Sequence, residues 1–237
     1  MNKELQKSKF QILEDKYTEY YTKNNFQNLK PCIDRMFQNN SHLTQAIEGF
    51  SEVINKLKVD GKEVTREDVR VLRHLVFLAV VESEWDNKTS PAGAKGYYQF
   101  MPETAKELGL KEISNDNIKE QAVAAAKYLT HIYFDVAKKD LKLTLTAYNS
   151  GKTRLNDYIK KIGNKKPSYD GFMDYLSSIK KKNKENTEYA PKYFALIELM
   201  KKENTTLLKY ARGEENYNGL IAKYPQYNEL NKVAKKL

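Results

Sequence analysis

The sequence predicts an all-α protein, and three observations carry that expectation. Only 10 glycines and 6 prolines occur among 237 residues. Apolar residues recur at helical spacing, without the sustained alternation of half-buried strands. Helix-start signals also stand ahead of apolar stretches. The first ~60 residues give two or three amphipathic helices, broken near Lys30-Pro31 and Asn39-Asn40-Ser41. Asp60-Gly61 makes a turn, and Thr65-Arg66-Glu67-Asp68 then has the form of a capping box, with Thr65 as N-cap. That start predicts a helix from Arg66 to Trp85, which places Leu75-Val76-Phe77-Leu78-Ala79-Val80-Val81 on a helix rather than a strand. Further helices are expected over Pro102–Leu108, Ile118–Val136, Leu141–Tyr148, Lys152–Lys161, Gly171–Ile179 and Tyr189–Lys202, with Lys180–Lys184 as a charged loop. The expected organisation is an N-terminal helical region (1–64), a catalytic domain (65–202) and a helical tail (203–237).

Composition narrows the function. The apolar fraction of 40% is enough for one substantial core. No stretch is long and apolar enough to cross a bilayer, and the first twenty residues lack the apolar core of a secretory signal, so no Sec-type address is expected. A lone cysteine, Cys32, and three scattered histidines (His42, His74, His131) supply neither a disulfide framework nor metal-ligand spacing, so no metal or cofactor is expected. The net charge is +10, and residues 152–202 hold thirteen Lys and Arg against six Asp and Glu. That excess steers polyanions without choosing among nucleic acid, an envelope polymer and anionic lipid.

The chemistry centres on Glu82. Seven consecutive apolar residues need a dry place, and an acid on the last turn of the run goes in with them. Desolvation disfavours the ionised form, so such a carboxyl is expected to keep its proton near neutrality and to protonate a poor leaving group. Downstream, Thr89-Ser90-Pro91-Ala92-Gly93-Ala94-Lys95-Gly96 is a turn in which glycines allow close approach. Tyr97-Tyr98-Gln99-Phe100-Met101-Pro102 follows, aromatics and an amide of the kind that lines sugar clefts, with Pro102 opening the next helix.

Residues 81–110, VESEWDNKTSPAGAKGYYQFMPETAKELGL, resemble the active-site stretch of the lytic transglycosylases, relatives of goose-type lysozyme that cleave peptidoglycan. The family's Glu-Ser pair falls on Glu82-Ser83, its following aromatic on Trp85, its Gly-Leu-Met-Gln on Gly96-Tyr97-Tyr98-Gln99, and its Met-Pro on Met101-Pro102. Its Ala-Tyr-Asn-x-Gly falls on Ala147-Tyr148-Asn149-Ser150-Gly151, and its Glu-x-x-x-Tyr-x-Pro on Glu185, Tyr189 and Pro191. Tyr97-Tyr98 departs from the family's Leu-Met and is expected to add bulk and two hydroxyls beside the cleft.

The resemblance implies a lysozyme-like fold and a peptidoglycan partner, with no nucleic acid. Action would be at the cell wall, in the periplasm, outside the cell or delivered by phage, with the terminal helices docking to a larger wall or virion assembly. It implies that Glu82 first protonates the glycosidic oxygen between N-acetylmuramic acid and N-acetylglucosamine. Glu82 then takes the proton of the muramic 6-hydroxyl, which closes a 1,6-anhydro ring without water. Ser83, Gln99, Tyr98, Met101, Tyr148 and Asn149 are the implied substrate-binding residues, with Tyr189 orienting the acid. From the residues alone, Ser83 can instead bond backbone at a helix end, and Trp85 reads as core. Asp86 would share the face of Glu82 if the helix continued. A water-using muramidase and a non-catalytic wall-binding protein remain the alternatives.

Overall fold

The computed structural model describes residues 7–202, apart from 27, 30, 33–34, 37–39, 60–62 and 115–116. The expected breaks at Lys30 and Asn39, the turn at Asp60-Gly61 and the tail after Glu203 lie outside the described residues. Among these the protein is all-α, with isolated bridges (Thr89 to Lys95, Lys95 to Phe100) in place of any strand. The described residues form two compact units, one within 7–25 and 128–196, the other within 26–127 and 197–202.

In the second unit, helices α2 (Asn40–Val59) and α3 (Arg66–His74) pack together. Thr65 caps α3 reciprocally: its hydroxyl accepts the Asp68 N–H (3.1 Å) while Asp68 accepts the Thr65 N–H (2.9 Å). A 3-10 turn (Leu75–Phe77) leads into α4 (Leu78–Ser83), and every residue from Leu75 to Val81 is at most 7% exposed. The helix expected to reach Trp85 therefore stops two residues earlier. Glu84 (φ 59°) and Trp85 (φ 58°) are left-handed, and their N–H groups turn back to the Val80 and Ala79 carbonyls (both 3.1 Å). Pro102 opens α5 (Pro102–Glu107) as expected, and α6 (Ile118–Thr130) follows. Gly49 lets α2 approach α6 closely, since a Cβ there would come within 2.8 Å of the Lys119 carbonyl oxygen.

The first unit holds most of α1 (Lys9–Phe26), a π-helical turn (His131–Val136) that ends the single helix expected to Val136, and helices α7 to α10. The Asp140 carboxylate starts two helices: it accepts from Leu143 N–H (2.9 Å) at α7 (Leu141–Ser150) and from Tyr169 N–H (3.1 Å) at α9 (Tyr169–Ser178). Between them runs α8 (Lys152–Ile162), joined to α7 through Gly151 at φ 92°. The last described helix, α10 (Lys184–Lys202), begins five residues before the expected Tyr189. Asn183 and Asn186 supply the start, each side-chain oxygen accepting the other's backbone N–H (2.9 and 3.0 Å).

Phe10 packs edge-on against Tyr169 and Phe194, and Glu188 binds α1 through Lys16 (2.8 Å) and the Tyr17 hydroxyl (2.6 Å). Burial works to raise the Glu188 pKa, but the bonds from Lys16 and Tyr17 and the nearby lysine charges outweigh it and hold the carboxyl below its ordinary value. A depressed folded-state pKa stabilises above the unfolded value, and the stabilisation is lost as pH falls through the folded one. Glu188→Gln should therefore melt below the wild type at neutral pH, with the gap closing under acid. Melting temperatures of both proteins across the carboxylate range check this.

Candidate active site

Glu82 stands on the last turn of α4, partly buried between two buried neighbours, Val81 and Ser83. Ser83 is fully buried. Its hydroxyl lies 2.9 Å from both the Ala79 and Tyr97 carbonyls and accepts the Asp86 N–H (3.2 Å). That hydroxyl, expected to bind sugar, here latches the helix end to the turn at 96–99.

That turn is built on backbone bonds. Lys95 and Phe100 exchange both N–H···O bonds (2.9 Å each), and Gly96 N–H reaches the Lys88 carbonyl (3.1 Å). Gly96 has φ +84°, and a Cβ there would strike Ile113 Cγ2 (2.6 Å) and the Gln121 amide. Gln121 was not foreseen as a site residue. Fully buried on α6, it accepts the Tyr97 N–H (3.1 Å) and donates to Ser114 O (2.8 Å) and Asn117 Oδ1 (3.0 Å). A glutamine inside the apolar Ala-rich start of α6 was the signal that could have found it.

The substitution Tyr97-Tyr98 does not crowd a cleft with hydroxyls, because both rings are in the core. Tyr98 is 0% exposed, packs on Phe50 and Phe100, and donates to the Val76 carbonyl (3.3 Å); burial pushes its pKa far up. Tyr97 meets the His42 Nδ1 through its hydroxyl (3.0 Å) and packs on Trp85, and burial, then the Asp86 charge, pushes its pKa up to about 12. Trp85, 1% exposed, is core as read from the residues. Gln99, left-handed at φ 49°, donates its amide N–H₂ to Gly96 O (2.7 Å) and Lys88 O (2.9 Å), while Met101 is 46% exposed.

The left-handed pair at 84–85 also removes Asp86 from the helix, so it does not share the face of Glu82. Glu84 is held from the N-terminal region. Arg35 directs Nε (2.9 Å) and Nη2 (2.6 Å) at the Glu84 carbonyl, and its Nη2 stands 3.8 Å from the Glu84 carboxylate.

In the first unit, Tyr148 and Asn149 sit near the end of α7, both partly buried. The Tyr148 ring rests on Tyr128 (5.6 Å), and Asn149 Nδ2 donates to Glu185 Oε1 (3.1 Å), which joins the two downstream motifs. Tyr189, 5% exposed, lies one turn after Glu185 on α10. No cluster suited to a metal ion occurs among the described residues.

The all-α fold thus places Glu82 at the end of a buried helix, beside a glycine-pinned turn. Residues 63–170, just under half of the chain, match the Transglycosylase SLT domain family. Over 131 residues the chain is 33% identical to the membrane-bound lytic murein transglycosylase D of Escherichia coli K12, and equally to that of E. coli O6:H1. The match covers 54% of this chain and 28% of each relative, so the chain spans under a third of those enzymes' length.

Two substitutions test the scaffold around Glu82. Gly96→Ala should destabilise the protein by about 1–3 kcal/mol, as overpacking against a buried amide does, measured by urea unfolding. Arg35→Ala should leave the fold intact and shift the native emission of Trp85, the sole tryptophan, to the red, while Arg35→Lys should recover it only in part. An unchanged spectrum for Arg35→Ala would show that the guanidinium does not hold the turn.

Proposed function

We propose that this protein is a peptidoglycan lytic transglycosylase in which Glu82 is acid and then base. As acid, Glu82 gives its proton to the glycosidic oxygen of the MurNAc-GlcNAc bond, and the departing sugar leaves with it. As base, the resulting carboxylate takes the proton of the muramic 6-hydroxyl while that oxygen bonds to the anomeric carbon. A tethered nucleophile acts at high effective concentration, so no activated water is needed. Gln99 uses its amide donors within the turn, and its carbonyl oxygen is the proposed contact to the substrate. Met101 is proposed to pack on sugar, and Tyr148, Asn149 and Tyr189 are the remaining proposed binding residues, carried by the motifs they match. The proposed place of action is the cell wall; among the described residues no helix is long and apolar enough to cross a membrane.

The observation that carries this reading is the place of Glu82 at the end of a buried helix, with the two carboxyls nearest it in sequence turned off its helix face. Its neighbour two residues on, Glu84, is turned to Arg35, and Asp86 leaves the helix altogether. A retaining or inverting glycosidase needs a second carboxylate across the bond; one carboxyl serving both steps does not. The curated relatives are named lytic murein transglycosylases, which supports the same chemistry.

Digestion of purified sacculi by wild type and Glu82→Gln, with product masses, tests it. Glu82→Gln should lose roughly 100- to 10,000-fold in rate, the usual weight of a general acid. Wild-type products should carry anhydro ends. Products heavier by one water would make the enzyme a muramidase, and unchanged lysis by Glu82→Gln would remove Glu82 from the mechanism.

A further inference from the structure

The first unit carries a second feature that the wall-cleaving reading does not use. The turn after the π-helical segment, the end of α8 and the approach to α9 enclose a groove of about 670 Å³. An adjoining hollow of about 350 Å³ shares Lys138, Lys166 and Pro167 with it. Lys138, Lys160, Lys165 and Lys166 line the groove, Lys139 lines the hollow, and all five are exposed. Val136, Ile159 and Pro167 give it an apolar floor.

Lys160, Lys165 and Lys166 pair with no acid among the described residues. The two lining acids are engaged elsewhere: Asp135 is 3.1 Å from His131 Nδ1, and Asp140 accepts two backbone N–H groups. Lys138 (φ 51°) and Lys139 (φ 69°) are also consecutive left-handed residues, a backbone state costing a side-chain-bearing residue roughly 1–2 kcal/mol. The Lys139 N–H returns to the Tyr133 carbonyl (2.7 Å), so the pair closes the end of the π-helical segment and sets both lysines at the rim.

The lining chooses among polyanions. Its cations are all lysines, hydrated point charges that suit phosphate oxygens without the planar fork by which arginine grips carboxylates. It contains no aromatic ring, and stacking on rings is how proteins hold single-stranded bases. Cations spread through two joined hollows call for a ligand that repeats its charge along a chain. We infer that this groove binds a linear phosphate-bearing polymer without bases, at a site separate in the chain from Glu82.

Fluorescence titrations of the full chain test this with four probes of matched charge: poly(glycerol phosphate), inorganic polyphosphate, oligothymidylate and polyglutamate. One or both phosphate chains should bind tightest, and the stronger of the two identifies the source. The combined Lys160→Gln, Lys165→Gln, Lys166→Gln variant should bind roughly tenfold or more weakly. Its log-affinity against log-salt slope should be shallower by about two, as expected for three lost charges. The charge-matched Lys180→Gln, Lys181→Gln, Lys182→Gln variant, changed in an exposed loop of the same unit, should bind within twofold of wild type. Equal weakening by both variants would reduce the effect to net charge and overturn the groove. So would oligothymidylate or polyglutamate binding as tightly as the phosphate chains, or no binding of either phosphate chain. Because binding is read without turnover, Glu82→Gln should bind as the wild type does, and failure of the catalytic reading leaves this result untouched.

Discussion

The hydroxyl of Ser83 is the joint on which the candidate site depends. It is the point where a dry helix end and a backbone-built turn meet, and it holds both by their carbonyls. The Ala79 carbonyl also accepts the Trp85 N–H, so removing this buried hydroxyl takes a donor from the Tyr97 carbonyl and an acceptor from the Asp86 N–H. A buried polar group left unpaired costs more than the bond itself contributes. Glu82 therefore inherits its position from a neighbour that need never touch substrate. The same logic extends one layer out, where Gln121 fixes the peptide of Tyr97 and Arg35 fixes that of Glu84.

Residues ahead of the matched SLT stretch take part in this support. Arg35, His42 and Phe50 meet Glu84, Tyr97 and Tyr98 in turn. The two tyrosines that depart from the family pattern are the ones that find these partners. The departure is thus a packing adaptation: larger rings at 97 and 98 fill space against helix α2 and place their hydroxyls on a ring nitrogen and a carbonyl. Backbone strain falls at the same place, with Glu84, Trp85 and Gln99 all left-handed without being glycine.

Features set by neighbours in sequence were legible. The reciprocal cap at Thr65, the burial of residues 75–81 and the helix opened by Pro102 all follow from a few adjacent side chains. The start of α10 was equally local, yet an Asn pair is a weaker sign than a Thr-x-x-Asp box, and the lysines around it read as loop. Features set by distant partners were not legible. Ser83 and Tyr98 carry groups that suit a sugar, and only the packing of the turn against the helix shows that those groups are spent. Gln121 acts on a peptide 24 residues away, so no window around either position reveals it. Left-handed Glu84 and Trp85 carry no composition signal, and they alone take Asp86 off the helix.

The tie between α1 and α10 has a kinetic side. Lys16 and Glu188 are 172 residues apart, so α1 waits for the last described helix, synthesised much later, before it can dock. Closing so long a loop costs entropy that is recovered only when the partner surface exists. During synthesis, the aromatic face of α1, with Phe10 and Tyr17, stays without those partners until residues 169–194 have emerged. Assembly of that unit is therefore a late event, and exposure of nascent α1 is the interval in which a chaperone or a neighbouring chain would find it.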